Sequence, residues 1–143
     1  MVSPDDEQAA VIAKLKADTD LVAALVAAGT GSDEIREAGY QAAEFGYPNI
    51  RVRLGLQAPR GNGECRLRQS TLSFTVEAYS VLASSEQVSQ LSGLVDKALF
   101  GKRLVAPTFE TLRLDSRGVL APFRHAPRTW RGDSYFTADA WDK

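Results

Sequence analysis

The sequence predicts an α+β fold: a mainly antiparallel twisted sheet with an N-terminal helix and a second amphipathic helix packed on one face. Three patterns point to it. Residues 49–56 and 71–79 alternate apolar with polar side chains, the period-two signature of half-buried strands. Val88, Leu91, Val95, Ala98 and Leu99 recur at helical spacing. The segment 128–141 concentrates Trp130, Tyr135, Phe136 and Trp141, residues enriched in sheets.

The first helix is expected over residues 4–28. Ser3 can cap it, Pro4 suits its first position, and Asp5, Asp6 and Glu7 compensate the positive end of its dipole. Val11, Ile12 and Leu15 form its apolar side, and Leu21, Val22, Leu25 and Val26 resume it after a break near Asp18. Gly29 and Gly31 end the helix. Residues 33–47 carry no clear period, although Ile35 would fit a short strand.

Pro48 leads into a strand at 49–56, with Ile50, Val52, Leu54 and Leu56 inward and Arg51 and Arg53 outward. Pro59, Gly61 and Gly63 mark 57–64 as an exposed hairpin loop. The return strand spans 65–80. Its phase changes near Gln69, which calls for a bulge or bend, and it then places Leu72, Phe74, Val76 and Ala78 inward, with Thr71, Ser73, Thr75, Glu77 and Tyr79 outward.

Ser84 and Gln87 form a capping-box pattern before a helix at 85–100, which stops at Gly101. A strand at 109–115 places Leu112 and Leu114 on one face, and residues 116–118 read as a turn. The last strand, 128–141, has a local interruption at Gly132 and Asp133.

With 143 residues, 44% hydrophobic and 24% charged, the chain has the size and composition of one folded domain, 1–143, and not of a disordered or membrane protein. Its net charge of −1 supplies no global field toward nucleic acid or anionic lipid. MVSPDDEQ lacks the basic and apolar regions of a signal peptide, so function without export is the expectation.

The residues offer no catalytic pattern. Cys65 is the only cysteine and His125 the only histidine, which excludes an intrachain disulfide, a thiolate cluster and a two-histidine metal site. His125 lies between Pro122 and Pro127, where a restrained loop or edge position explains it; Cys65 fits a small apolar role on its strand. Neither GxxxxGK[ST] nor GxGxxG occurs, and the acidic pairs sit at helix starts or in loops. The expectation is no enzyme, cofactor or metal. Pairing the strands around the 57–64 loop would collect Arg51, Arg53, Arg66 and Arg68 on one surface. These arginines are solvated, paired with a neighbouring subunit's carboxylates, or lining a channel. Trp141, near the C-terminus, suits an intersubunit contact as well as an intrachain one.

VIAKLKADTDLVAALV at Val11, YPNIRVRL at Tyr47 and LSFTVEAYSVLASSEQVSQLSGLVDKALFG at Leu72 together resemble the tail terminator (tail completion) proteins of long-tailed bacteriophages. TLRLDSRGVLAPFRHAPRTWRGDSYFTADAW at Thr111 is similar to that family's closing hairpin. The resemblance implies a virion protein assembled in the host cytoplasm: a ring, commonly a hexamer, at the head-proximal end of the tail tube. Such a ring ends tube polymerisation, contacts the tail tube protein and a neck or head-completion protein, and lets DNA pass without specific binding. Arg51, Arg53, Arg60, Arg66, Arg68 and Trp141 then become candidates for subunit or tube contacts. The alternatives are another head-tail connector, a small α+β enzyme using His125, and a peptide-binding module with an exposed strand edge.

Overall fold

The computed structural model describes residues 2–41, 44–59 and 69–143. The chain has the expected α+β architecture. Two helices, α1 (Pro4–Lys16) and α2 (Thr19–Ala27), precede the short strand β1 (Ile35–Glu37), β2 (Asn49–Leu54) and the two-residue β3 (Ala58–Pro59). Then come β4 (Gln69–Ser80), α3 (Glu86–Leu99), β5 (Phe109–Thr111), β6 (Asp115–Ala126) and β7 (Thr129–Asp142).

The first helical region divides at Asp18. Its carboxylate Oδ1 accepts from the Leu21 amide at 2.9 Å and so starts a second helix. Ser3 occupies the N-cap position of α1, but its hydroxyl makes no capping bond. Helix α2 ends in a Schellman arrangement, in which the Gly29 and Thr30 amides bond the Val26 and Leu25 carbonyls and Gly29 takes φ +99°. The capping box expected before α3 does not form. Ser85 is the N-cap residue, and Gln87 instead accepts from Ser80 Oγ at 2.5 Å, tying the helix to the end of β4.

Strand order across the sheet is β1-β2-β4-β7-β5. Among the described strands only β1 and β2 run parallel; β4 and β7 are the long central antiparallel pair, in register from Gln69↔Trp141 to Ser80↔Trp130. Beyond β2, β3 pairs the same side of β4. Between them three residues, 55–57, face two on β4, so the strand does not continue to 56 as expected and Leu56 is left exposed. Gly55 donates to Ser73 O and Ser73 Oγ donates to Leu56 O, which fixes this irregularity.

The C-terminal part departs most from expectation. No strand spans 109–115: β5 stops at Thr111, Leu112 is exposed and Leu114 buried. The 116–118 segment is not a turn but lies within β6, which forms a hairpin with β7. Gly118, at φ +127°, follows one of three register irregularities, and the others flank Phe123 and Arg124. Residues 132 and 133 do not interrupt β7, because both pair in register with β4.

Inward side chains Ile50, Val52, Leu72, Phe74, Val76, Phe136 and Ala138 pack with Val11 and Leu15 of α1, Leu21 and Leu25 of α2, and Val88, Leu91, Val95 and Leu99 of α3. The helices therefore cover one face of the sheet. Phe74 and Phe136, opposed in register, stack at 5.5 Å. Helix α3 approaches the sheet closely at Gly132, where a Cβ would stand 2.6 Å from Val88 Cγ1 and 2.9 Å from Ser92 Oγ.

Gly132→Ala is therefore expected to force α3 outward and cost about 1–3 kcal/mol in urea unfolding. Gly93→Ala, on the exposed side of α3 where an added Cβ meets nothing within 4 Å, should stabilise by about 0.5–1 kcal/mol. Equal effects at the two glycines would contradict the close packing at Gly132.

Candidate functional site

The sheet face opposite the helices is the strongest candidate surface, because it carries charge where three strands meet. Register places Arg51, Glu77 and Asp133 side by side on β2, β4 and β7, with Arg53 and Arg131 on neighbouring rows. Period two alone sends Glu77 and Tyr79 into solvent. Both are buried, and Glu77 has 0% exposure.

Two arginines explain that burial. Arg131 Nη2 donates to Glu77 Oε2 at 2.7 Å, and Arg53 Nε donates to the same oxygen at 3.1 Å. Glu77 Oε1 accepts from Arg53 Nη2 and from the Tyr79 hydroxyl at 3.2 Å. Arg131 also bonds both oxygens of Asp133, at 2.8 and 3.1 Å, and Tyr135 donates its hydroxyl to Asp133. The two carboxylates thus share one guanidinium, which opposes their repulsion and satisfies buried acceptors.

The local field follows. Burial opposes the charge on Arg131, but the hydrogen bond to Asp133 and the charge of Glu77 outweigh it and raise its pKa. Burial, then the adjacent Glu77 carboxylate, pushes the Tyr79 phenol above its usual range, so it remains a hydrogen-bond donor. Arg51 lies 4.0 Å from both the Tyr79 and Phe45 ring centroids and donates to Asn49. His125, exposed on β6, meets the Tyr79 ring edge-on at 5.3 Å.

Of the residues singled out by sequence, Arg51 and Arg53 share this face. Arg53 finds its carboxylate within its own chain, an arrangement outside the three alternatives weighed for the arginines. Arg60, Cys65, Arg66 and Arg68, with most of the expected 57–64 loop, lie outside the described residues. Trp141 is half-buried at the far end of β7, with Arg103 6.0 Å from its ring centroid. Glu77, Tyr79, Arg131 and Asp133 escaped sequence reading as a site. Their only signal was the i, i+2 spacing of polar residues on two strands.

A second buried carboxyl lies on the helical side. Glu7, read from sequence as dipole compensation, is only 2% exposed, and burial raises its pKa from 4.5 to about 7 against the opposing effect of a hydrogen bond with Gln57. Gln57 Nε2 donates to Val2 O at 2.9 Å, so this contact ties α1 and the N-terminal segment to the irregularity after β2.

An apolar groove of about 600 Å³ runs between α1 and residues 103–108, lined by Ala9, Ala10, Ala13, Leu104, Val105 and Pro107 among others. Among the described residues no three His, Cys, Asp or Glu side chains converge to hold a metal ion. Among the same residues no helix is long and apolar enough to cross a membrane.

No protein-family model and no curated protein matches the sequence. Among solved structures, the fold is similar to that of a chain in "Virion of native gene transfer agent (GTA) particle", with TM-score 0.73 and 19% identity, covering 97% of this chain and 96% of that one.

Arg131→Ala should destabilise the chain by about 3–5 kcal/mol, since it strands two buried carboxylates. Arg53→Ala, whose side chain is 57% exposed, should cost no more than about 1 kcal/mol. Similar losses in denaturant titration would assign the burial of Glu77 to Arg53 instead. Because the pKa of Glu7 is raised on folding, its contribution is fully present below about pH 4.5 and lost as pH climbs toward about 7. Glu7→Gln should remove that decline and gain on the order of 2 kcal/mol at pH 8, read from unfolding midpoints across the pH range. An unchanged pH profile would refute the assignment.

Proposed function

We propose that this chain is a structural subunit of a virion and acts as a tail terminator. In this reading it is one 143-residue domain that forms a ring at the head-proximal end of a tail tube, stops tube polymerisation and provides the joint to the neck. The observation that carries it is the likeness of almost the whole chain to a chain of a virion particle. The sequence resemblance to tail terminators supplies the finer assignment.

The charged face supports an assembly role. Glu77, Tyr79, Asp133 and Arg131 satisfy one another, so the face is held rigid without a mobile reactive group. Arg51 is different: it is clamped by rings and makes its side-chain hydrogen bonds to Asn49 and Tyr47 rather than to a carboxylate, which leaves its charge available to a neighbour. Arg51, Arg53, Arg60, Arg66, Arg68 and Trp141 are proposed as subunit or tube contacts, with the tube protein and a neck protein as partners and DNA passing through the lumen. No reaction is involved.

The test is reconstitution with the tail tube protein. Electron microscopy is expected to show rings on one end only of tubes that no longer elongate, and Arg51→Glu is expected to weaken capping while leaving the thermal midpoint within a few degrees of wild type. Rings bound at the portal side instead would make the protein another head-tail connector. Tubes that grow unchecked in its presence would end the terminator reading.

A further inference from the structure

Glu7 and Gln57 meet where the N-terminal segment, α1 and the irregularity after β2 come together, and each carries an oxygen without a donor. Glu7 Oε1 and Gln57 Oε1 are both buried and, among the described residues, neither accepts a hydrogen bond. The amide nitrogen of Gln57 donates to Val2 O at 2.9 Å. Val2 O can only accept, so the nitrogen must face it and the amide oxygen must point elsewhere. Val2 is 4% exposed and belongs to the hydrophobic core, so this bond helps to seat the N-terminal segment at the foot of α1. A proton on Glu7 Oε1, directed at Gln57 Oε1, satisfies both orphaned oxygens at once.

We propose that the Gln57 amide is a two-position switch thrown by the proton on Glu7, and that the switch seats or releases the N-terminal segment. With Glu7 protonated, its hydroxyl donates to Gln57 Oε1 and Gln57 Nε2 holds Val2 O. Loss of that proton to solvent leaves a buried carboxylate against an amide oxygen, two acceptors with no hydrogen between them. Turning the amide by half a rotation presents its NH2 group to the carboxylate, a charge-assisted bond roughly twice as strong as the neutral one it replaces. The same rotation sets Gln57 Oε1 against Val2 O. The Val2 carbonyl is then repelled, and its side chain leaves the core.

Burial keeps the proton on Glu7, raising its pKa to about 7 against the opposing hydrogen bond with Gln57, and no charged side chain shares in that shift. The elements packed on α1 carry their charges elsewhere. Arg51 and Arg53 of β2 lie on the opposite face of the sheet, Arg36 of β1 bonds Glu34 at 3.2 Å, and Glu37 is exposed. Asp20 of α2 pairs with Lys97 of α3 at the surface, where Glu86 is exposed and Asp96 half-buried. On α1 itself Asp5 and Lys16 are exposed, Lys14 is half-buried, and Asp6 accepts from Thr108 at 2.7 Å. Arg103, beside α1, pairs with Glu110. Because the folded pKa lies above the ordinary carboxylate value, the seated state belongs to low pH and is lost as pH climbs through about 7.

The test is an NMR titration of the full chain from about pH 5 to about pH 9, following the Glu7 carboxyl carbon, the Gln57 side-chain amide and the Val2 methyls. All three are expected to move with one midpoint near pH 7. Above it, contacts from the Val2 methyls to the core should be lost while those between Phe74 and Phe136 persist. Glu7→Gln supplies a permanent donor to Gln57 Oε1 and should keep the Val2 contacts throughout. Gln57→Leu, which has no amide to hold Val2 O, should lose them at every pH, its fold being checked by the Phe74–Phe136 contacts. Val2 contacts that survive the ionisation of Glu7, or that persist in folded Gln57→Leu, overturn the switch. So does a Glu7 that titrates without moving the Gln57 amide, or that stays protonated to the top of the range. Release of Val2 with rising pH in Glu7→Gln overturns it as well, since another group would then be responsible.

Discussion

Everything in this structure depends on the register between β4 and β7. That antiparallel pairing runs the length of β4 without a slip, and a shift by one residue would exchange the two faces of the sheet. The same register sets Phe74 on Phe136 in the core and Glu77 beside Asp133 on the reverse side. Hydrophobic burial and ion pairing therefore select the same alignment. The apolar face supplies most of the favourable free energy, whereas the charged face penalises wrong alignments, since a slip would break the cross-strand pair that the buried Glu77 makes with Arg131.

The helical side transmits this alignment to the rest of the molecule. Helix α3 meets β7 at Gly132, where only a hydrogen in place of a side chain permits the contact, and Gln87 holds the helix to Ser80 at the end of β4. Helix α1 then packs over β1 and β2, so the groove beside residues 103–108 is positioned by the same sheet that bears the charged cluster. Surfaces far apart in the chain are in this way parts of one frame.

Local patterns reveal much of the fold and little of the site. The strand at Asn49–Leu54, the alternation in β4 and the apolar stripe of α3 are legible because each is decided by residues a few positions apart. The burial of Glu77 is not legible, since it needs Arg131 from a position 54 residues away. Glu7 misleads for a similar reason: an acid in a first turn suits the dipole whether it points to water or into the core. In β6, Ser116, Arg117 and Gly118 read as a turn, yet an edge strand tolerates the bulge there, and the proline at position 122, as a central strand would not.

Those same irregularities govern how the molecule behaves in a crowd. A regular twelve-residue edge would be a template on which further chains lay down strand after strand, the route to fibres. Three offsets in the ladder and the missing amide of Pro122 spoil that template at several points along its length. Newly made chains at high concentration are thereby steered away from open-ended stacking, and encounters between them are decided by side chains.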